Sequence, residues 1–312
     1  MALRVALFGQ ADFGRMCLDR LIEGGHEIAA VFAPPDTGRP DALAARAAEL
    51  GLPLTQRRYY QRKDGTPIPA ALESYRKLYV DLNVLASFTA FLPPAIANAP
   101  TQKSICFHPS LLPRFRGGAA LQWQIILGER ESGVTIFVPD EGVDTGPIVV
   151  QKGGVEIGPE DTTGSLFFKK LSPLGVEAVV EAVNQIDAGT ARLIPQDESR
   201  ATFQGLVDDS VAAIDLERPA PEIDRLVRGC DPQPGAFVRF RGEPLRLYDA
   251  RLEPGSGGEP GTVIAIDEAA LRLALRGAPL RVGRVRAERG KEAAREFAER
   301  NGLKAGDRLE SG

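Results

Sequence analysis

Residues 104–152 leave few folds open to this chain. They read SICFHPSLLPRFRGGAALQWQIILGERESGVTIFVPDEGVDTGPIVVQK. The apolar run 103–108 predicts a short buried strand that ends on His108, one of only two histidines. The Pro- and Arg-rich stretch 109–118 is too irregular for helix or strand. Apolar residues at helical spacing follow over 119–127, with Gly128 after the last of them. A β-run at 133–138, a loop at 139–146 and a further strand at 147–151 complete the segment. A histidine and a cluster of carboxylates (Asp140, Glu141, Asp144) are thus expected at strand ends. In open α/β sheets, ligands lie in the crevice at the carboxyl ends of the strands. Imidazole titrates closest to neutrality, which suits it to proton transfer at cellular pH. A lone histidine at a strand end also serves structure, and Asp-Thr-Gly and Asp-Glu-Gly are ordinary turn sequences.

The flanking chain agrees with an α/β, Rossmann-like domain. Residues 3–8 form a β-run, 9–14 turn into a helix over 15–23, and 27–33 make a second strand. A dinucleotide site is excluded: the turn lacks full G-x-G-x-x-G spacing, and no acid is placed for a ribose after the second strand. Further helices are predicted at 42–50 and 70–78, strands at 52–55 and 80–87, and one long helix over 162–187. The loop 88–94, FTAFLPP, places apolar and aromatic side chains at a strand's carboxyl end, where they suit a flat apolar ligand or pack on the core. The texture changes after residue 205. Short β-runs at 236–240, 245–252, 262–266, 270–274 and 280–286, parted by Gly/Pro turns, predict a small antiparallel barrel.

Length fits two domains better than one: 312 residues with 43% apolar content supply sizeable cores. A net charge of −4 gives no global basic field, and the Lys/Arg and Asp/Glu of 205–312 nearly cancel. The basic, tyrosine-bearing stretch 56–69 reads as a solvated loop or a local polyanion contact. Three scattered cysteines in apolar contexts predict reduced thiols and a cytoplasmic protein. Histidines and cysteines are too few and too far apart for a zinc site. No segment reaches the length of a membrane span, and the amino terminus reads as a strand rather than a signal peptide.

The string FHPSLLPRFRGGAALQW…GVTIFVPDEGVDTGPIVVQK resembles the signature region of the 10-formyltetrahydrofolate-dependent formyltransferases. That family includes methionyl-tRNA formyltransferases and the hydrolase domain of 10-formyltetrahydrofolate dehydrogenase. The resemblance runs through nearly the whole chain. It implies a catalytic domain over 1–188, a linker over 189–204 and an OB-like barrel over 205–312. It implies 10-formyltetrahydrofolate as co-substrate, no metal, and His108 and Asp144 as catalytic residues. The pterin slot would lie between Phe88, Ala90 and Leu92 on one side and Pro139, Asp140, Glu141, Gly142 and Val143 on the other. Methionyl-tRNA, water, or a sugar or other small amine are the formyl acceptors it allows. A folate-binding protein without activity is the reading from another class.

A formyl group on a folate nitrogen is an activated amide. Its transfer needs a base for the nucleophile's proton, donors near the oxyanion and a slot that fixes geometry. His108 is the expected base, with Asp144 orienting the ring and stabilising its charged form. The family's usual set has an asparagine two residues before the histidine, where this chain has Cys106. A thiol is a poor donor. As a nucleophile it is disfavoured by its apolar strand, which raises its pKa. Gln10, or backbone N–H groups of 114–118, are candidates to replace the amide. Ser110 is a candidate to hold water or substrate. Arg114 and Arg116 are candidates to grip the folate tail, a phosphate or an acidic neighbour.

Overall fold

The computed structural model describes residues 2–312. The chain divides into two compact units. One comprises everything to Gly118 together with Ser132–Val155 and Lys169–Phe203; the other comprises Ala119–Glu131, Glu156–Phe168 and Gln204–Gly312. The units interleave in sequence, whereas the expected boundaries were single cuts. Segments 119–131 and 156–168 group with the second unit. Residues 189–203, expected as linker, belong to the first.

The first unit is built on a seven-stranded sheet. Its strands are β1 (Arg4–Gly9), β2 (Glu27–Ala33), β3 (Leu54–Gln56), β4 (Leu82–Ala86), β5 (Ser104–His108), β6 (Glu131–Phe137) and β7 (Ile148–Glu156). Their order is β3-β2-β1-β4-β5-β6-β7. Pairing is parallel from β3 through β5 and antiparallel between β5 and β6. A parallel strand is covered on both faces, so it reads as a continuous apolar run. This is why Val5-Ala-Leu-Phe-Gly9 and Leu82–Ala86 are buried throughout. The chain steps from β1 to β2 on one side and later returns to β4 on the other. That reversal opens a crevice at the carboxyl ends of β1 and β4.

Gly9 and Gly14 serve packing at this point. A Cβ on Gly9 would lie 2.7 Å from the Ala86 carbonyl oxygen, and one on Gly14 would lie 2.9 Å from Leu43 Cδ2. Small residues here let helix Ala11–Glu23 sit close to β4 and to helix Ala42–Glu49. The helix starts earlier than expected, directly after Gln10.

The long helix expected over 162–187 is broken. A short α segment, Thr163–Ser165, leads into a π-helical stretch, Leu166–Leu171, and only then into α-helix Ser172–Asp187. Pro173 supplies the reason: it lacks the N–H that a regular ladder needs and crowds the preceding turn.

Asn83 ties β4 to the following loop. It is fully buried; its Nδ2 donates to the Ile96 carbonyl at 3.0 Å and to Ser104 Oγ at 3.0 Å. Its Oδ1 accepts from the Tyr75 hydroxyl at 2.7 Å, and Ser104 Oγ donates to the Ala97 carbonyl at 2.6 Å. The 88–97 segment is thereby anchored at its far end.

In the second unit, β8 (Phe237–Phe240), β9 (Glu243–Leu252), β10 (Val263–Ile266), β11 (Leu271–Ala274), β12 (Pro279–Ala287) and β13 (Gly290–Ala293) form one antiparallel sheet. Its order is β10-β11-β12-β9-β8, with β13 on β12. Leu247, Leu273, Val282, Val285 and Phe297 lie in its core. This is the OB-like half-barrel the short β-runs predict. Helix Ala220–Gly229 buries Ile223 and Val227 in the same core and packs on helix Ala120–Ile126. That packing is why residues around Trp123 group with this unit.

Replacing Asn83 by Leu strands the Tyr75 hydroxyl and removes a partner from Ser104 and Ile96. Unpaired buried groups of this kind cost about 2–4 kcal/mol in all. Urea unfolding followed by circular dichroism should show the lower midpoint at an unchanged slope.

Candidate active site

His108 ends β5 and is 6% exposed. Its Nε2 lies 2.8 Å from the Phe115 carbonyl oxygen. That oxygen can only accept, so Nε2 carries a proton. Nδ1 faces Asp144 Oδ2 at 3.4 Å, longer than a well-formed N–H···O bond. Burial pushes the imidazole below its ordinary pKa, while the Asp144 charge and the Phe115 carbonyl pull the other way. Burial wins, so the resting ring is neutral, with its proton on Nε2 and a lone pair on Nδ1. The ring is therefore oriented by a backbone carbonyl from the far side. Asp144 stands beside the basic nitrogen, where it stabilises the imidazolium once Nδ1 takes a proton. The expected triad-like arrangement, with Asp144 orienting the ring, is replaced by this one.

Asp144 reaches the ring by an indirect route. β6 runs against β5, so the 139–146 loop does not leave from the same end of the sheet as the loops after β1, β4 and β5. It comes over the face of β5 that carries Cys106 and His108, which share a face at two-residue spacing. Asp144 adopts φ +56°, and its Oδ2 accepts from the Gly117 N–H at 2.8 Å. Its side chain is 21% exposed. Cys106 is half-buried; its thiol is pushed far up by burial and further by the Asp144 charge, and so stays protonated. Neither a thiolate nucleophile nor a charged group is available at that position.

The remaining expected site residues divide. Phe88 packs edge-on against Phe8 (5.4 Å between centroids) and Tyr60 (5.6 Å), and Ala90 and Leu92 are also half-buried against this aromatic cluster. Phe91, not singled out in the sequence, is the exposed ring of the loop at 74%. Across the 139–146 loop, Asp140, Glu141, Gly142 and Val143 are exposed and Pro139 is half-buried. Asp140 Oδ1 accepts from the Gly142 N–H at 3.0 Å and from Thr145 Oγ1 at 2.5 Å, which shapes the turn.

Two expected ligand contacts, Ser110 and Arg116, are committed inside the protein. Ser110 is fully buried; its hydroxyl donates to the Arg114 carbonyl at 2.7 Å, and its own carbonyl accepts from Thr135 Oγ1 at 2.7 Å. Arg116 is buried and bidentate to Glu198 (2.9 and 2.6 Å), and it also donates to Gln196 Oε1 at 2.8 Å. These bonds hold its guanidinium on the 196–198 segment. The Arg114 guanidinium lies 5.0 Å over the Phe115 ring. Gln10 precedes helix Ala11–Glu23, half-buried, and its side chain does not cap the helix. His26, the other histidine, is structural: its Nδ1 accepts from the Leu3 N–H at 3.3 Å, and Nε2 faces Asn184 Oδ1 at 3.4 Å.

The residues 196–202 carry contacts that sequence reasoning missed. Thr202 Oγ1 accepts from the Phe115 N–H at 2.8 Å, and its carbonyl accepts from the Arg116 N–H at 3.0 Å. Gln196 Nε2 donates to the Asp144 and Gly146 carbonyls at 2.8 and 2.7 Å. Among the described residues no three His, Cys, Asp or Glu side chains come together as a metal cluster, and no helix is long and apolar enough to cross a membrane.

Two family models match the chain: "Formyl transferase" over residues 3–183 and "Formyl transferase, C-terminal domain" over 207–302. The mitochondrial 10-formyltetrahydrofolate dehydrogenase of Mus musculus is 37% identical over 261 residues. The match covers 83% of this chain and 28% of that one, so this chain spans under a third of such relatives. The methionyl-tRNA formyltransferase of Roseobacter denitrificans is 35% identical, with 84% of each chain covered. Among solved structures, HypX from Aquifex aeolicus in complex with tetrahydrofolic acid superposes with a TM-score of 0.73 at 20% identity, over 96% of this chain and 47% of that one. The N-formyltransferase from Helicobacter canadensis superposes with a TM-score of 0.68 at 16% identity, over 93% and 100%. At such identities the superpositions speak for the fold.

Asp144→Asn removes the charge that favours the imidazolium, and an asparagine oxygen still accepts from Gly117. The His108 titration should move to lower pH. With two histidines in the chain, NMR reads it directly.

Proposed function

Because the chain belongs to the formyl transferase family, we propose that it takes the formyl group from 10-formyltetrahydrofolate and passes it to a nucleophile through the His108–Asp144 pair. One observation carries this reading: a buried imidazole holds its free lone pair 3.4 Å from a partly exposed carboxylate. The nucleophile adds to the formyl carbon and loses a proton to Nδ1. Asp144 stabilises the resulting imidazolium. Collapse of the adduct breaks the bond from the formyl carbon to the folate nitrogen, and the imidazolium returns its proton to that nitrogen. The steps balance, and no covalent enzyme intermediate is needed.

The folate is the co-substrate. Its ring would lie between the 88–92 segment and the exposed 139–143 turn, where Phe91 and Val143 offer apolar surface. The relative matched over 84% of each chain is named a methionyl-tRNA formyltransferase, which supports an amine acceptor. Cys106 favours water as the second reading, because a thiol and not a side-chain amide stands two residues before the histidine. A cytoplasmic setting fits the three free thiols.

Incubation with 10-formyltetrahydrofolate alone, with an amine, and with methionyl-tRNA should release tetrahydrofolate in at least one arm. No release in any arm refutes the proposal. His108→Ala and Asp144→Asn should each lower turnover by about 10²–10⁴-fold. The neutral ring is the active base, so activity is lost as pH falls through the His108 pKa. That acid limb lies below the ordinary imidazole range, since burial lowers the pKa. A profile rising only above neutrality would contradict the assignment.

A further inference from the structure

We infer that Gln196 is a positioning residue that sets the separation of Asp144 from His108; this rests on the reading of that pair as the proton-handling site. The Gln196 amide is fully used. Nε2 donates to the carbonyls of Asp144 and Gly146 at 2.8 and 2.7 Å, one on each side of Thr145. Oε1 accepts from Arg116 Nη2 at 2.8 Å and from Nε at 3.2 Å. Only a side chain with two donors and an acceptor on one plane can do this.

Arg116 sits between the two residues that hold the pair. Phe115 gives its carbonyl to His108 Nε2, and Gly117 gives its N–H to Asp144 Oδ2, each at 2.8 Å. Gln196 thus joins the backbone that carries the carboxylate to the side chain of the loop that carries the ring's acceptor. Phe115 (φ +59°) and Asp144 (φ +56°) both hold left-handed conformations, which are strained for residues with a side chain and persist only where neighbours enforce them. The Gln196 bonds are that enforcement for Asp144. Around the pair, the titratable and charged groups are Cys106 on the histidine's own strand, Asp140 in the carboxylate's loop, and Arg116 with its partner Glu198.

The test compares Gln196→Leu, Gln196→Glu and Glu198→Gln with the wild-type chain. Both Gln196 variants should lower kcat about tenfold or more, with KM for the folate nearly unchanged, since misplacing a catalytic group costs rate rather than binding. In Gln196→Leu the His108 titration should shift to lower pH, as in Asp144→Asn, and combining the two substitutions should add little further shift. Glu198→Gln should leave the titration in place, because Gln196 still holds Arg116. A folded Gln196→Leu with wild-type titration and turnover overturns the inference. In the wild-type chain, the Gln196 side-chain amide signals should follow the His108 titration, and their failure to move overturns it without any variant. The NMR readouts need no substrate. Shifts as described in a chain inactive on 10-formyltetrahydrofolate would refute the proposed function and keep the positioning role.

Discussion

A neutral imidazole buried between two oxygen acceptors is the constraint on which the site depends. Full hydrogen bonding at both nitrogens is available only to the charged ring, and burial disfavours charge. The conflict leaves Nδ1 with a lone pair beside a carboxylate, poised to gain a proton and a strong partner together. The surrounding chain maintains that poise. The Phe115 carbonyl has to arrive at the far nitrogen and the Asp144 carboxylate at the near one, both through residues in left-handed conformation. Ser110, Thr135, Gln196 and Thr202 secure the two loops by side-chain bonds to their backbones. The sheet supplies the platform. The loops supply the chemistry, and their own polar residues supply the rigidity.

What could be read in the sequence follows from the range of the interactions. β1, β4 and β5 were legible because a strand buried on both faces shows its burial in its own letters. His108 and Asp144 stood out because their loops carry an extended motif, and the structure brings the two side chains to 3.4 Å. Arg116 and Ser110 were visible as polar residues near a histidine, yet their partners were not. Glu198 lies 82 residues from Arg116, and nothing local marks this exposed carboxylate as the partner of a buried guanidinium. The same distance hid the task of residues 196–202, whose polar composition after Pro195 reads as a connector. The break after Leu171 is a different case: Pro173 stood in view, and a proline two residues into the final α segment was reason enough to divide the helix.

The role of the aromatic loop also changes when packing is considered. Of the two roles open to loop 88–94, Phe88 takes packing on the core: it closes an aromatic cluster with Phe8, Phe32 and Tyr60, where Phe8 and Phe32 stack at 4.3 Å. Burial in such a cluster makes Phe88 a support for the loop. Phe91 extends into solvent from that support. The segment we propose as one slot wall is therefore a packed base carrying one exposed ring, held by the core beneath it and by Asn83 at its far end.

Cys106 bears on the acceptor. A thiolate there would place a second negative charge beside Asp144, and the high thiol pKa prevents it. The position is thus neutral and a weak donor, so charge developing on the formyl oxygen has to be met by backbone N–H groups or by the imidazolium itself. In the second case proton uptake and oxyanion stabilisation are the same event at one ring. An amine attacks with a lone pair it already has and sheds its proton afterwards. Water has to lose its proton as it attacks. A site whose strength is concentrated in proton capture assists water at the step where help is most needed, while an amine gains more from oxyanion donors that this strand does not supply. Within our proposal, Cys106 is thus the feature that keeps water as the second acceptor beside the amine suggested by the methionyl-tRNA formyltransferase relative.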